Sequence, residues 1–185
     1  MSIDADTRVG RGVVAFTLGL VGHLAPALPE PRRTGAKGSV DQGIVGACVW
    51  VFTEQMDQWW PRSHHIGKAE MKKAVLETRE GGRWYEIGVD GSECNWGKVL
   101  RWNPPYKLVL AWQINSEWQY DPNLTTEVEV NFIEKEPKLT RLTLEHRDIE
   151  KFGIKAHEVW SALDSEGGWM GMLKVFAELA ERPGQ

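Results

Sequence analysis

Histidine and tryptophan are the residues through which this chain could do chemistry. His146 closes the run Leu142-Thr143-Leu144-Glu145-His146, in phase with Leu142 and Leu144, so it is expected to face the interior of a sheet. There it is either a hydrogen-bonded core histidine, as buried polar groups normally are, or a polar anchor at the end of an apolar pocket. No nucleophile is placed with it. His64-His65 with Glu70 has the residue types of a metal site without its spacing, because adjacent histidines rarely aim at one ion. Neither metal nor cofactor is expected. Glycine-rich phosphate loops, Ser-His-Asp order and paired-carboxylate signatures are missing, so no catalytic residue is assigned. The unusual count is ten tryptophans in 185 residues. Each brings a large apolar face and one N–H donor, so together they imply an aromatic core or an aromatic-lined pocket.

These side chains need a scaffold, and Gly81 to Trp112 is its centre. Arg83–Ile87, Asn95–Trp102 and Lys107–Trp112 read as strands, with positive-φ turn residues at Gly81-Gly82 and Asp90-Gly91. Pro104-Pro105 must separate two strands, since proline cannot donate to a ladder. Trp84, Trp96, Trp102, Trp112 and Trp118 lie in or just after this meander. The inward face of the first of these strands is undecided between Trp84 with Glu86 and Tyr85 with Ile87, the latter looking more core-like. The Val99–Trp102 stretch is equally ambiguous, whereas Leu108, Leu110 and Trp112 form a clear apolar face.

Before the meander, Val45, Val49, Phe52, Met56 and Trp60 recur every three or four residues and predict one helix from Ile44 to Trp60. It stops at Pro61. Met71–Arg79 reads as a strand. After the meander, Ser116–Asn123 reads as a loop, and Thr125–Glu134 and Lys138–His146 alternate as two strands around Glu136-Pro137. Lys155–Leu163 adds a short helical piece. Trp169, Met172, Leu173, Phe176 and Ala180 mark a C-terminal helix. The order helix, six antiparallel strands, helix predicts an α+β fold: a curved antiparallel sheet with a long helix across its concave side and a cavity between them.

Composition sets the limits. Hydrophobic residues at 42% and charged residues at 26% suit one globular domain,. A formal charge of -4 argues against nucleic acid, which needs a clustered basic excess. No apolar run reaches the roughly 20 residues of a membrane span, so no membrane partner is expected. Cys48 and Cys94 are expected as reduced thiols and the location as cytoplasmic. Residues 1–42, dense in Gly and Pro, are expected to be an irregular or poorly ordered extension, with the domain spanning 43–182. Val13–Leu24 imitates a signal-peptide core, but Asp4 and Asp6 and the lack of a cleavage site oppose that reading.

A family likeness rests on several stretches in order: Phe52 to Pro61, Gly81-Gly82-Arg83-Trp84-Tyr85-Glu86, Trp96-Gly97-Lys98-Val99, Pro104-Pro105-Tyr106-Lys107-Leu108, Leu110-Ala111-Trp112, Leu142-Thr143-Leu144-Glu145-His146 and Gly168-Trp169. Together they resemble the activator-of-Hsp90-ATPase-homologue branch of the SRPBCC superfamily, which includes START and Bet v 1 domains. The resemblance implies a helix-grip fold, with a seven-stranded sheet around a C-terminal helix and an internal cavity. The family's first strand and helix start have no counterpart before Phe52, so residues before about Val49 are expected to be diverged or an out-of-frame start. That leaves a sheet edge open, or filled by Ile44–Trp50. The implied function is non-catalytic binding of a small apolar or aromatic ligand. Trp60, Trp84, Trp112 and Trp169 are the expected walls and His146 the polar anchor. Alternatives implied by relatives are an Hsp90-type chaperone-binding module and a polyketide cyclase or aromatase, as a monomer or homodimer.

Overall fold

The computed structural model describes residues 14–21 and 44–182. Seven strands form one antiparallel sheet in the order β1-β7-β6-β5-β4-β3-β2. They are β1 (Val14–Val21), β2 (Met71–Leu76), β3 (Arg83–Gly88), β4 (Glu93–Asn103), β5 (Lys107–Trp112), β6 (Thr126–Glu136) and β7 (Leu139–Arg147). The helices are α1 (Ile44–Thr53), α2 (Met56–Trp59), α3 (Ala156–Leu163) and α4 (Trp169–Ala180), with a 3₁₀ segment at Ile149–Lys155 before α3. This is the α+β helix-grip arrangement, a curved half-barrel sheet closed by helices. Among the described residues, no helix is long and apolar enough to cross a membrane.

Alternation explains most of the sheet. Val128, Val130 and Phe132 of β6 and Leu142, Leu144 and His146 of β7 are all buried, because residues two apart share a face. The turns into β3 and β4 use Gly81 and Gly91 at φ of 73° and 82°, where a side chain would be strained. α1 docks by Phe52, whose ring lies 5.6 Å from Phe132 of β6 and 5.2 Å from Phe176 of α4, both edge-on. Each such pair adds roughly 0.5–1.5 kcal/mol beyond the buried area.

Three expectations are corrected. The first concerns the N-terminal segment, expected to be irregular. Val14–Val21 is a strand, paired with β7 from Val14↔His146 to Val21↔Leu139. Its sequence alternates Val14, Phe16, Leu18 and Leu20 with Ala15, Thr17 and Gly19, a period of two that the surrounding glycine and proline obscure. Leu20 is buried. The edge of β7 is thus covered by β1, and Ile44–Trp50 is helical and does not fill it. The rest of the 1–42 segment lies outside the described residues, as does the frame question.

The second correction is the single helix over Ile44–Trp60, which is two. The chain turns at Glu54-Gln55, where both amides donate to the Trp50 carbonyl. Met56 and Trp60 remain buried, so the apolar stripe survives the break. The third concerns β3, whose fully inward residues are Trp84 and Glu86, not Tyr85 and Ile87. Tyr85 is also buried, but the Arg83 guanidinium covers its ring at 3.9 Å. In β4 a register shift between Val99 and Arg101 against β5 moves the alternation by one residue. Val99 and Trp102 therefore both reach the core, which is why that strand has no readable parity.

Candidate functional site

The expected site residues do meet. Trp60 lies 5.7 Å from Trp84, 4.9 Å from Trp96 and 6.0 Å from Trp169. Trp112 lies 5.7 Å from Trp84, 5.8 Å from Trp169 and 5.2 Å from the His146 ring. One continuous aromatic cluster thus joins α2, β3, β4, β5, β7 and α4. A cavity of about 340 Å³ opens beside it. Trp60 and Trp112 line this cavity, while Trp84, His146 and Trp169 stand behind the wall.

His146 is 0% exposed and both ring nitrogens are engaged. The Trp169 indole can only donate, and its N–H points at His146 Nδ1 at 3.2 Å,. Nδ1 is therefore unprotonated and Nε2 carries the hydrogen, donating to Thr126 Oγ1 at 2.8 Å. The Thr126 hydroxyl in turn faces the Trp112 carbonyl at 3.5 Å. Burial pushes the imidazole pKa down from 6.5 to about 3, because desolvation of the cation outweighs the opposing pull of the Asp148 carboxylate,. His146 is thus a neutral brace that fixes the tilt of Trp169 and ties β7 to β6. It offers no nitrogen to a ligand.

Most walls of the cavity were not legible as such. Trp96 of β4, Ile66, Ile114, Leu163 and Met172 supply apolar surface, and Trp118 stands at the mouth. Trp96 was hidden by a register shift between the β3 and β4 partners of Trp84 and Tyr85. Trp118 sits in a polar stretch, Ser116-Glu117-Trp118-Gln119. Its loop is tied by Asn115, whose Oδ1 accepts from the Glu117 and Gln119 amides at 2.9 and 3.0 Å. The Trp118 backbone is left-handed, φ 56°, and its side chain stays 44% exposed. A bulky residue in that region costs about 1–3 kcal/mol and marks a place where position matters more than ease.

Three of the wall indoles spend their N–H groups on the protein. Trp60 donates to the His64 carbonyl at 2.9 Å, Trp112 to the Ile114 carbonyl at 3.1 Å, and Trp96 to Glu86 Oε1 at 3.2 Å. What remains toward the cavity is aromatic face. The polar side chains of the lining are Ser63, His64 and His65 in one connecting segment and Ser165 in the α3–α4 turn that His64 reaches. This suits a flat apolar molecule with one polar edge.

The segment 61–70 that carries this edge is held by a buried carboxylate. Glu86 of β3, with its side chain 2% exposed, accepts the Ile66 and Gly67 amides on Oε1 at 2.8 and 2.6 Å. A Cβ at position 67 would lie 3.2 Å from that oxygen and 3.4 Å from the Cys94 Cβ, so only glycine lets the segment come this close without displacing it. Glu86 Oε2 is buried without a hydrogen bond among the described residues, 4.0 Å from His65 Nδ1. His64 turns the other way: its Nε2 donates to the Gly167 carbonyl at 2.6 Å, joining the segment to the α3–α4 turn. The two adjacent histidines thus diverge. Among the described residues, no group of three His, Cys, Asp or Glu could hold a metal ion. Both cysteines are free, Cys48 buried and Cys94 half-buried.

Comparisons with known proteins agree with this architecture. Residues 49–181 match the family described as activator of Hsp90 ATPase homolog 1-like protein. Among solved structures, the anthrahydroquino-gamma-pyrone synthase Txn09, complexed with SUM, is 30% identical with a TM-score of 0.57, over 90% of this chain and 96% of that one. The self-sacrificing resistance protein CalC from Micromonospora echinospora is 24% identical with a TM-score of 0.61, over 91% and 93%. A protein from Nitrosomonas europaea is 15% identical with a TM-score of 0.56, over 97% of each chain. The latter two likenesses speak for the fold alone. No curated protein matches the chain significantly. With most of its length covered by one family, the chain belongs to the activator of Hsp90 ATPase homolog 1-like proteins.

Proposed function

We infer that the protein encloses a small planar aromatic molecule in the cavity between its sheet and its C-terminal helices. The observation that carries this reading is the cavity of about 340 Å³ walled by the faces of Trp60, Trp96 and Trp112, whose N–H groups are already used. Stacking against such faces favours flat rings over flexible aliphatic chains. The 30% identity to a synthase of an anthrahydroquino-pyrone supports a polycyclic aromatic as the ligand class. An Hsp90-type chaperone is the alternative partner suggested by the family's name; the cavity ranks the small-molecule reading first.

The test is a fluorescence titration of the whole chain with an anthraquinone and, in parallel, a saturated fatty acid. Saturable quenching by the anthraquinone alone is expected, weakened in Trp118→Ala. Equal quenching by both, or by neither, would remove the aromatic-face argument. Native mass spectrometry of protein taken from its source cells would then show whether a natural ligand of this class is retained.

A further inference from the structure

We propose that His65 is an acid–base residue for the bound molecule, with Glu86 as its positioning residue. The inference rests on the aromatic-ligand reading of the same cavity and adds chemistry to it. The Gly67 carbonyl can only accept, so its 3.2 Å contact with His65 Nδ1 assigns the hydrogen to Nδ1. Nε2 is left with a lone pair and makes no hydrogen bond among the described residues. His65 lines the cavity and its side chain is 29% exposed.

Behind the ring stands the buried carboxylate. A clamp for the 61–70 segment needs only Oε1 of Glu86, which takes both amides and the Trp96 indole. Oε2 serves none of these, yet it is directed to within 4.0 Å of His65 Nδ1. A base whose far nitrogen is held by a carbonyl and backed by a carboxylate has the layout of an oriented proton acceptor. Such contacts are often long in the unliganded protein and tighten when the ligand is bound.

The step is abstraction of a ring-methylene proton conjugated through the ring with the carbonyl. His65 Nε2 forms a bond to the proton, the C–H pair moves into the ring, and the carbonyl oxygen becomes an enolate. The resulting imidazolium keeps its Nδ1–H toward Gly67 and Glu86. Return of the proton to carbon or oxygen completes a tautomerisation in which nothing is oxidised or reduced. Planar aromatic ketones with an acidic methylene are therefore the substrate class.

The test uses anthrone with the whole protein, without oxygen, in D₂O. Exchange at the C10 methylene is followed by proton NMR, and binding by tryptophan quenching. Wild type is expected to accelerate exchange, and His65→Gln to lose about 10²–10⁴-fold of it while still binding. His65→Gly should regain exchange when imidazole is added, which a residue that only fills space would not show. Glu86→Gln, able to keep the amide clamp, should slow exchange at least roughly tenfold with binding retained. Bound anthrone without acceleration, equal rates in His65→Gln, or no imidazole rescue would each overturn the proposal alone. If anthrone does not bind, the aromatic-ligand reading fails and the proposal with it.

Discussion

Two histidines in this protein have opposite surroundings. His146 is sealed, both nitrogens are engaged, and burial holds it neutral down to about pH 3. His65 is partly open, one nitrogen is engaged, and a buried carboxylate stands behind it. The first is chemically quiet and structurally costly to disturb. The second is held by one local hydrogen bond and is chemically available. A conspicuous histidine on an alternating strand is thus the brace, and an inconspicuous one in a connecting segment faces the cavity.

The largest break in this contrast should come from Trp169→Ala. It removes the donor to His146 Nδ1 and leaves a hole at the meeting point of Trp60 and Trp112, so a loss of about 3–5 kcal/mol is expected in urea unfolding. A pH series comes next. The unfolded chain binds a proton at His146 near pH 6.5, whereas the folded one takes it only near pH 3. Stability from this group is complete above about pH 6.5 and falls by roughly 1.4 kcal/mol per pH unit as acid is added toward the folded value. Between pH 6.5 and 4.5, above the range of most carboxylates, the slope should be visible in wild type and flattened in His146→Gln.

The smaller effects sharpen the other side. His65→Gln should shift the unfolding midpoint by no more than about 0.5 kcal/mol equivalent, the usual range for a part-exposed site. A loss several times larger would make His65 a structural residue like His146. Trp118→Gly should be closest to neutral in stability, because relief of the left-handed backbone offsets the lost packing. Its effect should be confined to affinity for the anthraquinone.

How far the sequence could be read follows from the same physics. Strands β6 and β7 were legible because apolar and polar residues alternate along them, and β5 because Leu108, Leu110 and Trp112 put the bulkiest apolar residues two apart. That parity placed Trp112 and His146 inward. Trp84 and Trp96 were harder, since β3 and β4 change register against each other and a one-residue slip exchanges the faces. Strand β1 was missed because its alternation includes Gly19 and sits among glycines and prolines. The cavity's polar edge was not readable at all. Ser63, His64, His65 and Ser165 lie in connections, where no period assigns a direction. Glu86 shows the limit most clearly: its type suggests solvent, and only the amides of Ile66 and Gly67 folding back onto β3 explain its burial.

The packed tryptophans have an optical consequence. Trp60, Trp84, Trp96, Trp112 and Trp169 form an unbroken chain with ring centres 4.9–6.0 Å apart. At such separations excitation absorbed by one indole migrates among its neighbours before it is emitted. The rings then behave as one antenna. A single acceptor seated against Trp112 would drain the whole group, so quenching at saturation should far exceed the share of one tryptophan in ten. The emission should also be strongly depolarised even in a rigid glass, where the molecule itself cannot turn.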